Sequence, residues 1–291
     1  MIKKNDLITA IETSRSGLSK SHKLIADYII SNYAKAAGMT ASELGRTVGV
    51  SESTVVRFAY EMGCEGYPQF LAQLRECVRI RLTSLQRMDE TTNRMDEKDV
   101  LDMILKADAE RIKMTLNSVS KDDFFRAADL LLEAKNIYIL GMRASAVLAD
   151  YMRYYFALIF DNVKLIRPAG GSEILENLMN IGEGDVFVSI SFPRYTTGIV
   201  NATEYASKTG ASVIAITDSD YSPIVQHADI ALLAKSEMAS FADSLVAPMS
   251  LINALIAYMG KKKHEEITEK LGKLEQIWKE FNVYTSVRSD R

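Results

Sequence analysis

Apolar residues follow two different periods along the chain, and the change of period divides it. From Asp6 to about Leu82 large apolar side chains recur at helical spacing, with Leu7, Ile8 and Ile11 first and then Leu24, Ile25, Tyr28 and Ile29. No strand-like alternation interrupts them, so residues 1–82 are expected to form an all-helical domain. Residues 83–99 are polar and poor in large apolar side chains, as suits a linker or an exposed helical connector. Two more helical segments are expected at Val100–Ser118 and Asp122–Ala134, after which short β-branched runs alternate with helical stretches. The candidate strands are Asn136–Leu140, Val163–Ile166, Asp185–Ile190, Ser212–Thr217 and Asp229–Leu233. Strands of near-continuous hydrophobicity separated by helices imply a parallel sheet covered on both faces, so residues 100–291 read as an α/β sandwich with a five-stranded parallel sheet. After Lys261, the residues Ile267, Leu271, Leu274, Trp278 and Phe281 recur at spacings of 4, 3, 4 and 3. They form one apolar stripe on a final helix, which packs on its own domain or on another copy.

Composition narrows the class without changing this division. With 291 residues and 47% hydrophobic content the chain can bury two cores, which excludes intrinsic disorder, while 15 Gly and 2 Cys exclude collagen-like and disulfide-rich scaffolds. Cys64 and Cys77 stand 13 apart, and the histidines are His22, His227 and His264. That inventory supports no metal site and no cofactor, and it fits a reducing cytoplasm. The start, MIKKNDLITAIE, has no apolar signal-peptide core. The apolar stretch Ser244–Gly260 is interrupted by Pro248 and Asn253 and falls short of the roughly 18 to 20 residues of a membrane span, so it is expected to be a core helix. Through Thr83 the chain carries 11 Lys plus Arg against 8 Asp plus Glu, a net +3, which leaves −6 for the remainder. A basic front end on an acidic body is the asymmetry that nucleic-acid-binding modules produce.

The segment Thr40–Gly63, TASELGRTVGVSESTVVRFAYEMG, has the parts of two short helices joined by a tight turn. Thr40 and Glu43 make a capping box at the start of the first, Gly49 supplies the positive φ that ends it, and Ser51 caps the second. Val55, Phe58, Ala59 and Met62 then share a face that packs on Leu44 and Val48. The other face carries Ser53, Arg57 and Tyr60. In a major groove the hydroxyls of Ser51, Ser53 and Thr54 and the backbone N–H groups reach phosphates, while Arg57 addresses a guanine edge. An ordinary helical hairpin with Arg57 on a solvated face is the competing interpretation.

The run SESTVVRFAYEMGCEGYPQF resembles the recognition helix and following G-Y-P-x-F turn of the RpiR (MurR/RpiR) transcriptional regulators. In that family a helix-turn-helix precedes a SIS (sugar isomerase) domain. The resemblance continues through GMRAS, the pair of serines at Ser189 and Ser191, and AITDSDYSPIVQHAD. It therefore spans most of Ser19–Gly260.

Parallel sheets bind ligands at the carboxyl ends of their strands, and three turns there carry suggestive chemistry. The first holds Gly141, Arg143 and Ser145, with Ser145 able to cap the next helix. The second holds Ser189, Ser191, Arg194, Thr196 and Thr197, and the third Ser219 and Ser222. The resemblance implies that Ser145, Ser189 and Ser191 grip the phosphate of a phosphosugar. The family's second loop is S-x-S-G-x-T, whereas here Phe192, Pro193 and Arg194 follow Ser191, and Thr196 stands two residues later than the pattern counted from Ser189. Arg143 also replaces a glycine common in the family's first loop. Proline removes a backbone donor and phenylalanine forbids the glycine conformation, so the cradle departs from the family's, and the two arginines are expected to hold an anionic phosphosugar or sugar acid instead.

A sugar-phosphate isomerase would need a general base, for which Glu173, Glu176 and His227 are the candidates; Glu173 has a simpler explanation at a helix start, and His227 on a surface turn. A third reading keeps DNA binding and leaves the α/β half only to assemble copies. The reading favoured is a non-enzymatic, ligand-responsive regulator of carbohydrate metabolism. Its expected partners are double-stranded operator DNA, a phosphosugar or sugar-acid effector and further copies of itself as a homodimer or homotetramer, with no membrane.

Overall fold

The computed structural model describes residues 7–81, 83, 85, 86, 88, 98–167, 173–237 and 242–284. The chain divides into two compact units, Met1–Glu90 and Thr91–Arg291, so the division falls inside the polar stretch 83–99.

The first unit contains helices α1 (Leu7–Ser14), α2 (Lys20–Ala36), α3 (Ala41–Val48), α4 (Glu52–Glu61) and α5 (Tyr67–Arg81). Each contributes apolar residues to one core, in which Ile8, Ile11, Ile25, Ile29, Leu44, Phe58, Phe70 and Leu74 are fully buried. Leu24 is 47% exposed, so the buried face of α2 runs through Ile25 and Ile29 instead. Phe58 meets His22 and Phe70 edge-on at 5.6 and 5.7 Å, tying α4 to its neighbours.

In the second unit, α6 (Val100–Ser118) and α7 (Lys121–Glu133) precede β1 (Ile137–Gly141), α8 (Ser145–Ile159), β2 (Val163–Leu165), the short α9 (Glu173–Asn177), β3 (Val186–Ile190) and α10 (Thr197–Lys208). The strands β4 (Ser212–Thr217) and β5 (Ile230–Leu233) follow, then α11 (Val246–Lys262) and α12 (His264–Glu280). The sheet is five-stranded and parallel in the order β2-β1-β3-β4-β5. Side chains of opposite faces enter separate cores. Ile137, Ile139, Val188 and Ile214 pack with α7, α8 and α11, and Tyr138, Leu140, Phe187 and Val213 pack with α10 and Ile174 of α9.

The apolar stretch before Gly260 forms the core helix α11, which packs against α6, α7 and α8. No described helix is long and apolar enough to cross a membrane. Helix α12 buries no residue; of its apolar stripe Ile267 packs on the core and Phe281 is exposed.

Candidate functional site

In the first unit the sequence signals become a rigid helix pair. The Thr40 hydroxyl accepts the Glu43 N–H at 3.2 Å, and the Glu43 carboxylate accepts from the Thr40 N–H at 2.8 Å and its hydroxyl at 2.9 Å, which holds that carboxyl below the ordinary glutamate range. Gly49 ends α3 at φ 80°, and the Ser51 hydroxyl accepts the Thr54 N–H at 3.2 Å to start α4. Gly45 is a second required glycine that the sequence did not single out. A Cβ there would stand 2.8 Å from the Val50 carbonyl oxygen, so its absence lets α3 lie close to the turn.

At the exposed N-terminal end of α4 the Ser51 hydroxyl lies 2.9 Å from that of Ser53 and 2.8 Å from that of Thr54. Arg57 reaches back to Thr54 at 3.5 Å, and Tyr60 is exposed one turn further on. Ser51, Ser53, Thr54 and Arg57 thus share one polar patch, while Val55, Phe58 and Ala59 anchor the helix from behind. Behind α4, His22 Nδ1 pairs with Glu61, and the Tyr67 hydroxyl donates to the Met39 carbonyl at 2.9 Å. Burial pushes the Tyr67 phenol up to about 12, which keeps it a donor.

In the second unit the turns after β1 and β3 meet beside the point where the strand order reverses, the usual crevice of such sheets. Gly141 is required by packing: a Cβ there would stand 2.3 Å from the Ser145 carbonyl oxygen, so α8 presses directly on the end of β1. Arg143 is exposed and takes a left-handed backbone conformation, φ 55°, at a cost of about 1 kcal/mol for a residue with a side chain. The conformation is the one a glycine accepts freely, so the turn carries a cation at a position suited to glycine. Ser145 is the first residue of α8 and does not cap it; Ala144 is the N-cap residue and makes no side-chain cap.

The second turn is registered differently from the expectation. Ser189 lies within β3, fully buried, with its hydroxyl 2.7 Å from that of Thr203, which donates to the Ile199 carbonyl at 2.6 Å. It belongs to the sheet–α10 contact. Ser191 is the first residue after β3, and Thr196 is the N-cap residue of α10. Counted from Ser191, Thr196 falls at the spacing of S-x-S-G-x-T, so the threonine is in register and the departures are Pro193 and Arg194 alone. Arg194 and Thr197 are exposed, as is the first turn's Arg143.

Thr196 makes no side-chain cap; its hydroxyl donates instead to the Met142 sulfur at 3.1 Å. Gly198 leaves room for that sulfur, 3.2 Å from where a Cβ would stand. Met142 therefore joins the first turn to the second, a role with no signal in the sequence. The third turn is joined to the second by Tyr195, whose hydroxyl donates to Asp218 at 2.8 Å, and by Thr217, whose hydroxyl donates to the Ser191 carbonyl at 2.6 Å. Ser222 is buried, and its hydroxyl has no hydrogen-bond partner among the described residues. Among the described residues no cluster of His, Cys, Asp and Glu could hold a metal ion.

A capped helix-turn-helix ahead of a parallel α/β unit, with hydroxyls and arginines at its carboxyl edge, is the architecture of a helix-turn-helix regulator with a separate α/β half. Residues 5–78 match the helix-turn-helix domain of the rpiR family and residues 130–258 match the SIS domain. The chain belongs to the RpiR family of helix-turn-helix transcriptional regulators. It is 26% identical over 276 residues to an uncharacterized HTH-type transcriptional regulator of Caldanaerobacter subterraneus subsp. tengcongensis, covering 94% of this chain and 96% of that one. With the HTH-type transcriptional regulator HexR of Escherichia coli it shares 29% identity over 235 residues, 78% of this chain and 77% of HexR. Its fold is similar to that of the Vibrio vulnificus NanR protein complexed with ManNAc-6P, with a TM-score of 0.61 and 19% identity over 96% of this chain and 100% of that one.

Proposed function

We propose that this regulator controls genes of carbohydrate metabolism and that a phosphosugar or acidic sugar derivative, held by the α/β unit, sets its affinity for operator DNA. The observation that carries the DNA half is the patch of Ser51, Ser53, Thr54 and Arg57 on a helix fixed by caps at its start and by Val55, Phe58 and Ala59 behind. Hydroxyls reach phosphates there, Arg57 reads a base and Tyr60 extends the contact. Replacing Arg57 by Ala is expected to weaken specific operator binding by about 10- to 100-fold, the worth of one bidentate base contact, and to leave effector affinity intact. A gel shift at fixed salt measures this, and undiminished operator affinity overturns the recognition-helix assignment.

The effector half rests on the joined turns after β1, β3 and β4. Arg143 and Arg194 supply charge, Ser191, Thr196 and Thr197 supply hydroxyls, and Ser145 and Gly141 shape the first turn while Ser189 braces the second from below. NanR's complex with ManNAc-6P supports a sugar phosphate as the class of ligand. Calorimetric titration with ManNAc-6P, other hexose phosphates and sugar acids is the test; binding by none of them overturns this half. The names of the relatives support a non-catalytic α/β unit, and turnover of a sugar phosphate in a coupled isomerase assay overturns that. Two copies joined through their α/β units would place two recognition helices on a partly palindromic operator in the cytoplasm. An effector acts on that pair by its difference in affinity for the DNA-bound and free arrangements.

A further inference from the structure

Helix α6 faces its own domain with polar groups and solvent with apolar ones. The two side chains it buries are Arg111 and Thr115. Arg111 pairs with Asp108 at 2.9 Å, Asp108 also accepts the Ser244 hydroxyl at 2.6 Å, and the Thr115 hydroxyl accepts the Lys235 N–H at 2.9 Å. On the outside Leu101, Leu105, Ile112 and Leu116 are 71, 60, 38 and 66% exposed. At about 100° per residue these four lie within roughly 60° of arc, with exposed Ala109 beside them. Four large apolar side chains on one stripe, above a polar underside, are a face that water does not favour and that its own domain does not cover.

The geometry points to a second copy of this chain as the occupant, through antiparallel pairing of α6 with α6 about a two-fold axis at Ala109; this rests on the reading that copies join through their α/β units. In that arrangement the stripe is self-complementary, and the charges along its border favour it. Leu101 then faces the partner's Leu116, Leu105 faces the partner's Ile112, and the smallest residue sits where the helices cross. Along one border run Asp102, Lys106, Glu110 and Lys113, joined within the helix at 2.8 Å (Asp102 to Lys106) and 3.6 Å (Glu110 to Lys113). Antiparallel pairing keeps this border beside its own copy and sets Asp102 beside the partner's Lys113 and Lys106 beside the partner's Glu110, opposite charges in both cases; parallel pairing would carry the two charged borders to opposite sides of the interface and leave them without each other. The result is an apolar centre with a charged rim, the anatomy of a protein interface. The four stripe residues would bury about 400 Å² per protomer, about half of the ~800 Å² per partner of a stable pair. Val147, Tyr154 and Tyr155 of α8 are also exposed, and α8 like α6 packs on α11.

Sedimentation velocity on the full chain tests this. The wild-type chain is expected to dimerise, and Leu105→Glu combined with Ile112→Glu to raise the dimer dissociation constant at least 100-fold with unchanged circular dichroism. Lys106→Glu alone is expected to weaken the dimer several-fold, and adding Glu110→Lys to restore it, a recovery that a folding defect does not show. Ala109→Cys is expected to give a covalent dimer with a short bismaleimide, whereas Met114→Cys, 41% exposed on another side of the helix, is not. A dimer indifferent to the stripe substitutions overturns the α6 pairing and leaves the two-copy regulator standing. A wild-type monomer overturns both.

Discussion

A single buried hydroxyl shows how far residue type is from residue role. Ser189 and Ser191 are chemically equal and two apart, yet Ser189 is shared between β3 and Thr203 of α10, and Ser191 opens the turn after β3. Ser189→Ala is expected to cost about 1 kcal/mol of stability, the net worth of one buried hydrogen bond, and to leave phosphosugar affinity unchanged. Equilibrium unfolding and calorimetry read the two quantities separately, and a tenfold loss of affinity would return Ser189 to the ligand. Arg143 should behave in the opposite way. Arg143→Gly removes the left-handed strain but adds freedom to the unfolded chain, so stability is expected to move by less than about 1 kcal/mol while effector affinity falls. A variant that binds as tightly as the wild type would make the arginine a bystander. Neither distinction was legible beforehand. Every residue of β3 is buried, so no alternation marks which face a side chain takes, and a φ of 55° at Arg143 depends on where β1 and α8 are held.

At the scale of the element, the helix-turn-helix was almost fully legible because its determinants are local. Thr40, Glu43, Gly49 and Ser51 act within one turn of the groups they satisfy. The Glu43 carboxyl is held below its ordinary value by the Thr40 N–H, so the box contributes fully above the ordinary glutamate range. That contribution is lost as pH falls through the lowered value. Glu43→Gln keeps an acceptor without a titrating charge, so the thermal stability of the wild type is expected to fall toward or below that of the variant on acidification. Parallel curves for the two proteins would remove the effect. Gly45 was invisible because the atom it must avoid, the Val50 carbonyl oxygen, is brought there by the crossing of two helices; Gly45→Ala is expected to cost about 1–3 kcal/mol in denaturant titrations. Helix α6 poses the reverse problem. Its bounds were readable as Val100–Ser118, but its polar underside was not, since Ser244 and Lys235 reach it from more than a hundred residues away. Asp108→Ala removes the carboxylate that buried Arg111 and Ser244 share, with an expected cost of about 3 kcal/mol.

For the whole molecule, two units with separate cores are expected to unfold in two calorimetric transitions. A bound phosphosugar should raise one and operator DNA the other, because a ligand stabilises the fold that binds it. One transition shifted equally by both would instead show a single cooperative body. The division itself was written in the period of the apolar residues. Helical spacing without strands, a polar stretch, and then buried strands alternating with helices left few other arrangements, since each element must cover one face against another. The strand order β2-β1-β3-β4-β5, the tie from Met142 to Thr196 and the apolar stripe left outward on α6 were settled only in three dimensions. Local patterning determined which elements form and where the chain divides, because capping and side-chain period act over a few residues. Which hydroxyls are buried between sheet and helix and which apolar face stays uncovered depended on packing between residues far apart in the chain, which no local pattern records.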